Sequence, residues 1–323
     1  MCLNHVFLAQ QKGCIPAVLN QEAKVTVEES FLTPGYDNLS FVVNRRVLLL
    51  ALSLGFVIPL AGGPHLVGSP PQRQINIDRL SVTSLLLVAL ADGQPIGTAT
   101  GFVVQKGENY YLLTNLHVVT GRNPVTNAPL YRDGAVPNAL NILHNVKDKF
   151  GSWRLVRESL FHGETGEPRW IEHPERRRLI DVVALPLTNL TGIALYPLDL
   201  ELRNTPIRVA PAEVITIVGF PYGQTAGAGL AIWKSGTIAS DPDVDYGGQP
   251  VFLIDATTRP SMSGSPVYAR RSGSSVGPRG GVQIFGGTRD RFLGIYAGRI
   301  HEDAEVGRVW KVDALMDIYE ALL

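Results

Sequence analysis

Pro260-Ser261-Met262-Ser263-Gly264-Ser265-Pro266-Val267 reads as a nucleophile presented on a tight turn, with a strand leaving it. A serine hydroxyl attacks poorly at its own pKa, so it needs a base to take its proton and amide donors to hold the oxyanion that forms. Three hydroxyls compete within the turn, those of Ser261, Ser263 and Ser265. Upstream, His117 lies in Leu113-Thr114-Asn115-Leu116-His117-Val118-Val119, and Asp181 opens the apolar run Asp181-Val182-Val183-Ala184-Leu185-Pro186-Leu187. A base, an acid to orient it and a nucleophile thus follow one another along the chain in the order His, Asp, Ser.

That order differs from those of the subtilisins and α/β-hydrolases. Together with Gly219-Phe220-Pro221-Tyr222-Gly223 and Leu293-Gly294-Ile295-Tyr296-Ala297-Gly298-Arg299, the three blocks resemble those of a trypsin-like serine peptidase. The similarity is closest to the bacterial branch of HtrA-type and glutamyl-endopeptidase-type enzymes, and it spans about residues 80–312. The resemblance implies an all-β, chymotrypsin-like fold of two six-stranded antiparallel β-barrels with a short C-terminal helix. It places the nucleophile directly before the Gly of Ser-Gly-Ser-Pro, at Ser263, with His117 as general base and Asp181 as its orienting carboxylate. The oxyanion hole would be the backbone N–H groups of Ser263 and Ser261. Gly is the usual family residue at the latter position, and a side chain there narrows the available backbone conformations.

The resemblance also puts Thr257 near the base of the primary pocket and Ala297, Gly298 and Arg299 at its rim, pairing with the substrate as an added strand. Thr257 is not the Asp that selects Lys or Arg, and Tyr296 stands where glutamyl endopeptidases carry His, so a small or apolar side chain before the scissile bond is expected. The activity implied is that of a serine endopeptidase working through an acyl-enzyme on protein or peptide substrates, without a cofactor. The alternatives are a catalytically inactive peptide-binding module of the same fold and a small-ester hydrolase, whose chemistry usually sits on a G-x-S-x-G elbow.

The totals agree with a globular enzyme. The chain has 323 residues, 45% hydrophobic and 18% charged, enough to bury a substantial core. Lys+Arg and Asp+Glu both number 29, which gives no net field for nucleic acid or an acidic membrane. The two cysteines, Cys2 and Cys14, lie far upstream of the three blocks, so neither a cysteine nucleophile nor a thiolate metal site is expected there.

Residues 1–42 show no sustained periodicity and are expected to be an N-terminal extension, unstructured or outside the translated protein. Residues 43–63 combine Asn44-Arg45-Arg46, an apolar run over 47–61 and small residues after it, the pattern of a secretory signal peptide or of a membrane anchor. Export to the periplasm or outside the cell is the corresponding expectation. Membrane contact would be confined to that anchor. Residues 64–79 read as a flexible Pro- and Gly-bearing leader, and residues 80–323 as the peptidase domain, with no PDZ-like module after it.

Within 80–323, strands are predicted over 80–90, 96–104, 110–113, 153–157, 214–220, 232–238, 251–256 and 292–300, with a hairpin turn at 106–109 and a short helix over 312–323. Residues 121–178 form a long polar connection carrying His144, His162 and His173, whose spacing matches no metal motif; they are expected to be solvated. Asp241-Pro242-Asp243-Val244-Asp245 hints at calcium, but Tyr246 and Phe252 stand where such a loop needs Gly and Glu, so a solvated turn is expected. Residues 270–287, rich in Gly, Ser and Arg, read as an exposed, mobile loop.

Overall fold

The computed structural model describes residues 38–43, 73–131, 133–301 and 303–323. Its elements are, in chain order, β1 (Asn38–Val43), β2 (Arg73–Asp78), α1 (Leu80–Thr83), β3 (Ser84–Ala91), β4 (Gln94–Lys106), β5 (Asn109–Thr114), α2 (Leu116–Thr120), β6 (Ala139–Val146), β7 (Trp153–Ser159), β8 (Ile171–Glu172), β9 (Val183–Pro186) and β10 (Ile193–Ala194). They continue with β11 (Val214–Gly219), β12 (Ile232–Ile238), β13 (Val251–Asp255), β14 (Pro266–Val276), β15 (Val282–Arg299), β16 (Val306–Lys311) and α3 (Val312–Glu320). The fold is all-β, and it ends in the expected short helix.

The second half closes into a six-stranded barrel in the order β11-β12-β13-β16-β15-β14. The first half, expected as a second six-stranded barrel, is instead an eight-stranded antiparallel sheet, β10-β6-β3-β4-β5-β9-β8 with β7 added on β6. Its extra strands come from residues 121–178, because β6 and β7 form a hairpin in which Ala139–Asn145 pair with Trp153–Ser159.

Burial explains why several stretches read as continuous apolar runs. Side chains alternate across a strand, and here both faces are covered. In β4, Val103 packs inside the first half, while Phe102 and Val104 face the layer between the two halves. In β9, Val183 and Leu185 point inward and Ala184 outward to that layer. The second half meets it with Val218, Phe220, Tyr268, Phe292, Ile295 and Trp310. Phe292 stacks edge-on against Phe102 with ring centroids 5.8 Å apart. Leu315 and Ile318 of α3 pack into the same layer, which is where the 315, 318, 322 spacing directs them.

Several expectations change. Within the leader 64–79, Arg73–Asp78 is a strand, paired antiparallel with Asn38–Val43 from the segment expected to be unstructured. Ile77 is buried there against Val82, so the alternation Ile75, Ile77 outweighs the polar composition. Residues 80–83 form one helical turn rather than strand. His144 and His173 are 1% and 3% exposed, not solvated. Residues 270–287 are mostly a long β14–β15 hairpin rather than a mobile loop. Arg270 ties that hairpin down: it forks onto Asp290 at 2.6 and 2.7 Å, pairs with Asp78 at the end of β2, and lies 4.5 Å over the Trp233 ring.

The expected signal or anchor, residues 43–63, lies outside the described residues except for Val43. No helix among the described residues is long and apolar enough to cross a membrane.

Candidate functional site

The histidine half of the site follows from β5. That strand ends at Thr114, and Asn115, in extended backbone, begins the short helix α2, which is closed by Gly121 at φ +64°. Gly suits this position because the left-handed cap donates its N–H to His117 O at 2.9 Å. His117 is thereby fixed in the first turn.

Asp181 stands just before β9 and is 1% exposed. An isolated buried carboxylate is costly, and both oxygens of this one are engaged by the same residue. Oδ1 accepts the backbone N–H of His117 at 2.9 Å, and Oδ2 lies 2.7 Å from His117 Nδ1. Asn115 Nδ2 donates to Asp181 O at 2.7 Å, so the loop bearing the acid is clamped to the turn bearing the histidine. A carboxylate only accepts, so Nδ1 carries the proton and Nε2 keeps a lone pair.

The serine half sits between β13 and β14. Ser265 N–H donates to Met262 O at 3.0 Å, which closes the turn, and Gly264 N–H donates to Tyr296 O at 2.9 Å, which binds it to β15. Gly264, at φ +89°, lies against the first half so closely that a Cβ would collide with Thr100 O. Thr100 N–H donates to Ser263 O at 2.9 Å, and the Thr100 hydroxyl donates to Ser261 O at 2.9 Å. The Thr114 hydroxyl, three residues before His117, in turn donates to Thr100 O at 2.8 Å. Ser263 therefore lies across the interface from the strand that leads to the histidine.

Ser263 is half-buried, while Ser265 is fully buried with its hydroxyl unpartnered among the described residues, out of reach of solvent. Among the described residues no hydrogen bond joins the Ser263 hydroxyl to His117, and the amides of Ser261 and Ser263 donate to no acceptor.

Ala297, Gly298 and Arg299 end β15. The β15–β16 register breaks between Tyr296 and Arg299, so Ala297 and Gly298 leave the ladder, with Gly298 at φ +103°. Thr257 is exposed; its neighbour Thr258 is fully buried and bonds Tyr296 Oη at 2.5 Å. Burial pushes the Tyr296 phenol up, an effect the Thr258 hydroxyl partly offsets. Gly307 leaves room for the ring, since a Cβ there would stand 2.6 Å from Tyr296 Cε2.

Sequence reasoning did not single out Thr98, Thr100 or Thr258. The period-2 pair Thr98 and Thr100 on β4 was the available signal, because it places two hydroxyls on one face. No group of three or more His, Cys, Asp or Glu among the described residues could hold a metal.

A family model described as the trypsin-like peptidase domain matches residues 99–277. Among solved structures, the chain is similar to the active form of the Rv3671c protease from M. tuberculosis, at 19% identity over 85% of this chain and 93% of that one, TM-score 0.40. It is also similar to the serine endoprotease from Yersinia pestis, at 14% identity over 75% of this chain and 63% of that one, TM-score 0.43. A thermostable serine protease, AL20, from an extremophilic microorganism matches at 11% identity over 75% of this chain and 98% of that one, TM-score 0.42. No match was found among curated proteins.

Proposed function

Because the chain belongs to the trypsin-like peptidase family, we propose that it is a serine endopeptidase whose nucleophile is Ser263. His117 Nε2 takes the Ser263 proton as Oγ attacks the scissile carbonyl, and the imidazolium then gives that proton to the leaving amine. An acyl-enzyme remains, and water, activated by the same nitrogen, releases the acid. Asp181 fixes the tautomer and stabilises the charged ring. The N–H groups of Ser261 and Ser263 hold the oxyanion.

The observation that carries this reading is the two-point contact of Asp181 with His117, at 2.9 and 2.7 Å, which leaves Nε2 as the open nitrogen. The two unpartnered amides in the turn support the oxyanion assignment. The missing bond between His117 and Ser263 is compatible with it, since such bonds often tighten only when substrate is present. It is also the one feature that favours the second reading, an inactive peptide-binding module.

Substrate backbone would pair with the Ala297–Arg299 edge, where Ala297 and Gly298 leave the β15–β16 ladder, as an added strand. The Tyr296 ring, bonded to Thr258, lies against Gly307, the ladder partner of Arg299, and this supports a small or apolar residue before the scissile bond. The pattern of residues 43–63 supports export.

Hydrolysis of a peptide library by the wild type and by Ser263→Ala tests the reading. Cleavage is expected after small or apolar residues in the wild type only. Cleavage that survives in Ser263→Ala contradicts the assignment, and a profile dominated by Arg, Lys or Glu contradicts the specificity.

A further inference from the structure

The nucleophile turn holds a backbone conformation that its sequence does not favour. Ser261 lies at φ +74°, in the left-handed region where Cβ crowds the neighbouring carbonyl and where glycine is the usual occupant. The angle φ of Ser261 orients the peptide carrying its own N–H against the rest of the turn. With the turn fixed beyond it, relaxing φ to a negative value swings that N–H to a new direction.

Two contacts from β4 oppose such relaxation. The Thr100 hydroxyl donates to Ser261 O at 2.9 Å, and Thr98 Oγ1 lies 2.6 Å from Ser261 Oγ. The two threonines differ in role. Thr100 is fully buried, and its hydroxyl also accepts the N–H of Phe220 at 3.2 Å, so it belongs to the core where the halves dock. Thr98 is exposed at the lip of the interface, beside Gly223, and among the described residues its hydroxyl bonds only the Ser261 side chain. A serine at 261 without a partner would be strained and free to turn; a threonine at 98 supplies that partner from the opposite half.

We propose that Thr98 is a positioning residue: its hydroxyl latches Ser261 Oγ, holds Ser261 in the left-handed region and keeps the Ser261 N–H directed at the oxyanion. The pair Thr98–Ser261 would thus do by a hydrogen bond what a glycine does by lacking a side chain. This rests on Ser263 being the nucleophile.

The test uses the full chain with Thr98→Val, which keeps the shape and removes the hydroxyl at an exposed position. Loss of a whole oxyanion donor typically costs about 10²–10³ in rate, so loss of its alignment should cost about 10-fold or more. The readouts are the second-order rate of labelling by a fluorophosphonate and kcat and KM on a cleaved peptide. T98V is expected to lose about 10-fold in labelling rate and kcat with KM within about twofold and an unchanged melting temperature, and Thr98→Ser to regain most of the loss. In a Ser261→Gly parent, the same T98V change is expected to alter the rate by less than about twofold, because glycine takes φ +74° unaided.

T98V within about twofold of wild type overturns the proposal. So does an undiminished loss in the S261G parent, or an effect confined to KM. Those outcomes leave the peptidase reading standing, provided the wild type is labelled at Ser263. A wild type that takes no label overturns both.

Discussion

His117 and Asp181 are fixed to each other by two hydrogen bonds within the first sheet, with Asn115 as a third tie from the same turn. The Ser261–Ser263 turn belongs to the second barrel, yet three of its hydrogen bonds come from Thr98 and Thr100 in the first. One half of the site is self-contained; the other takes its geometry from its neighbour. A base needs only the right tautomer and an open nitrogen, which a single buried acid supplies. In the proposed mechanism the oxyanion turn needs a backbone direction, and the hydrogen bonds from Thr98 and Thr100 reach it from across the interface. Docking of the two halves should therefore govern the serine more than the histidine.

The largest effect tests the self-contained half. Asp181→Asn keeps the shape but lets the ring take the other tautomer, and is expected to lower kcat about 10⁴-fold with little change in KM. Steady-state kinetics on a cleaved peptide measures it, and a loss below about 10-fold would mean that the acid is structural only.

Next comes the interface. Phe292 is 1% exposed and packs on Phe102 and Tyr268. Phe292→Ala should cost about 3–5 kcal/mol in urea unfolding. Under conditions where it remains folded, it should also slow Ser263 labelling while leaving the His117–Asp181 contact unchanged, as read by the ring-proton NMR shift of His117. If labelling is unaffected, the dependence of the serine half on docking is refuted.

A smaller effect separates the buried histidine of the first sheet from the proposed base. His144 is 1% exposed, both ring nitrogens lack partners among the described residues, and burial lowers its pKa to about 4, with Glu158 opposing the shift and Arg154 adding to it. The unfolded chain takes up this proton near pH 6.5, whereas the folded chain resists until about pH 4. Stability is therefore full above about pH 6.5 and falls as pH drops through that window, by up to about 3 kcal/mol. Melting curves should show a steeper decline over this range for wild type than for His144→Phe. Equal slopes would remove His144 as the cause.

The architecture was legible where burial imposes a pattern. Asp181-Val182-Val183-Ala184-Leu185 announces a strand covered on both faces, and β9 is one. His144 was readable in the same way: Leu140, Ile142 and His144 alternate along β6, so the histidine points inward with the other two. The polar connection around it obscured that period. The β14–β15 hairpin was not legible, because its Ser and Gly residues carry no strand preference. What holds it is backbone pairing and the Arg270 fork to Asp78 and Asp290, one of them 192 residues away. Thr98 and Thr100 were hidden for a related reason: a sequence shows two hydroxyls on one face of a strand but not what that face meets.

The most direct test of the account is the site of fluorophosphonate attachment in the wild-type protein, found by peptide mass spectrometry, with His117→Ala in parallel. The account predicts a single adduct on Ser263 that His117→Ala reduces by at least about 10³-fold. An adduct on another serine, or undiminished labelling without the histidine, would contradict it.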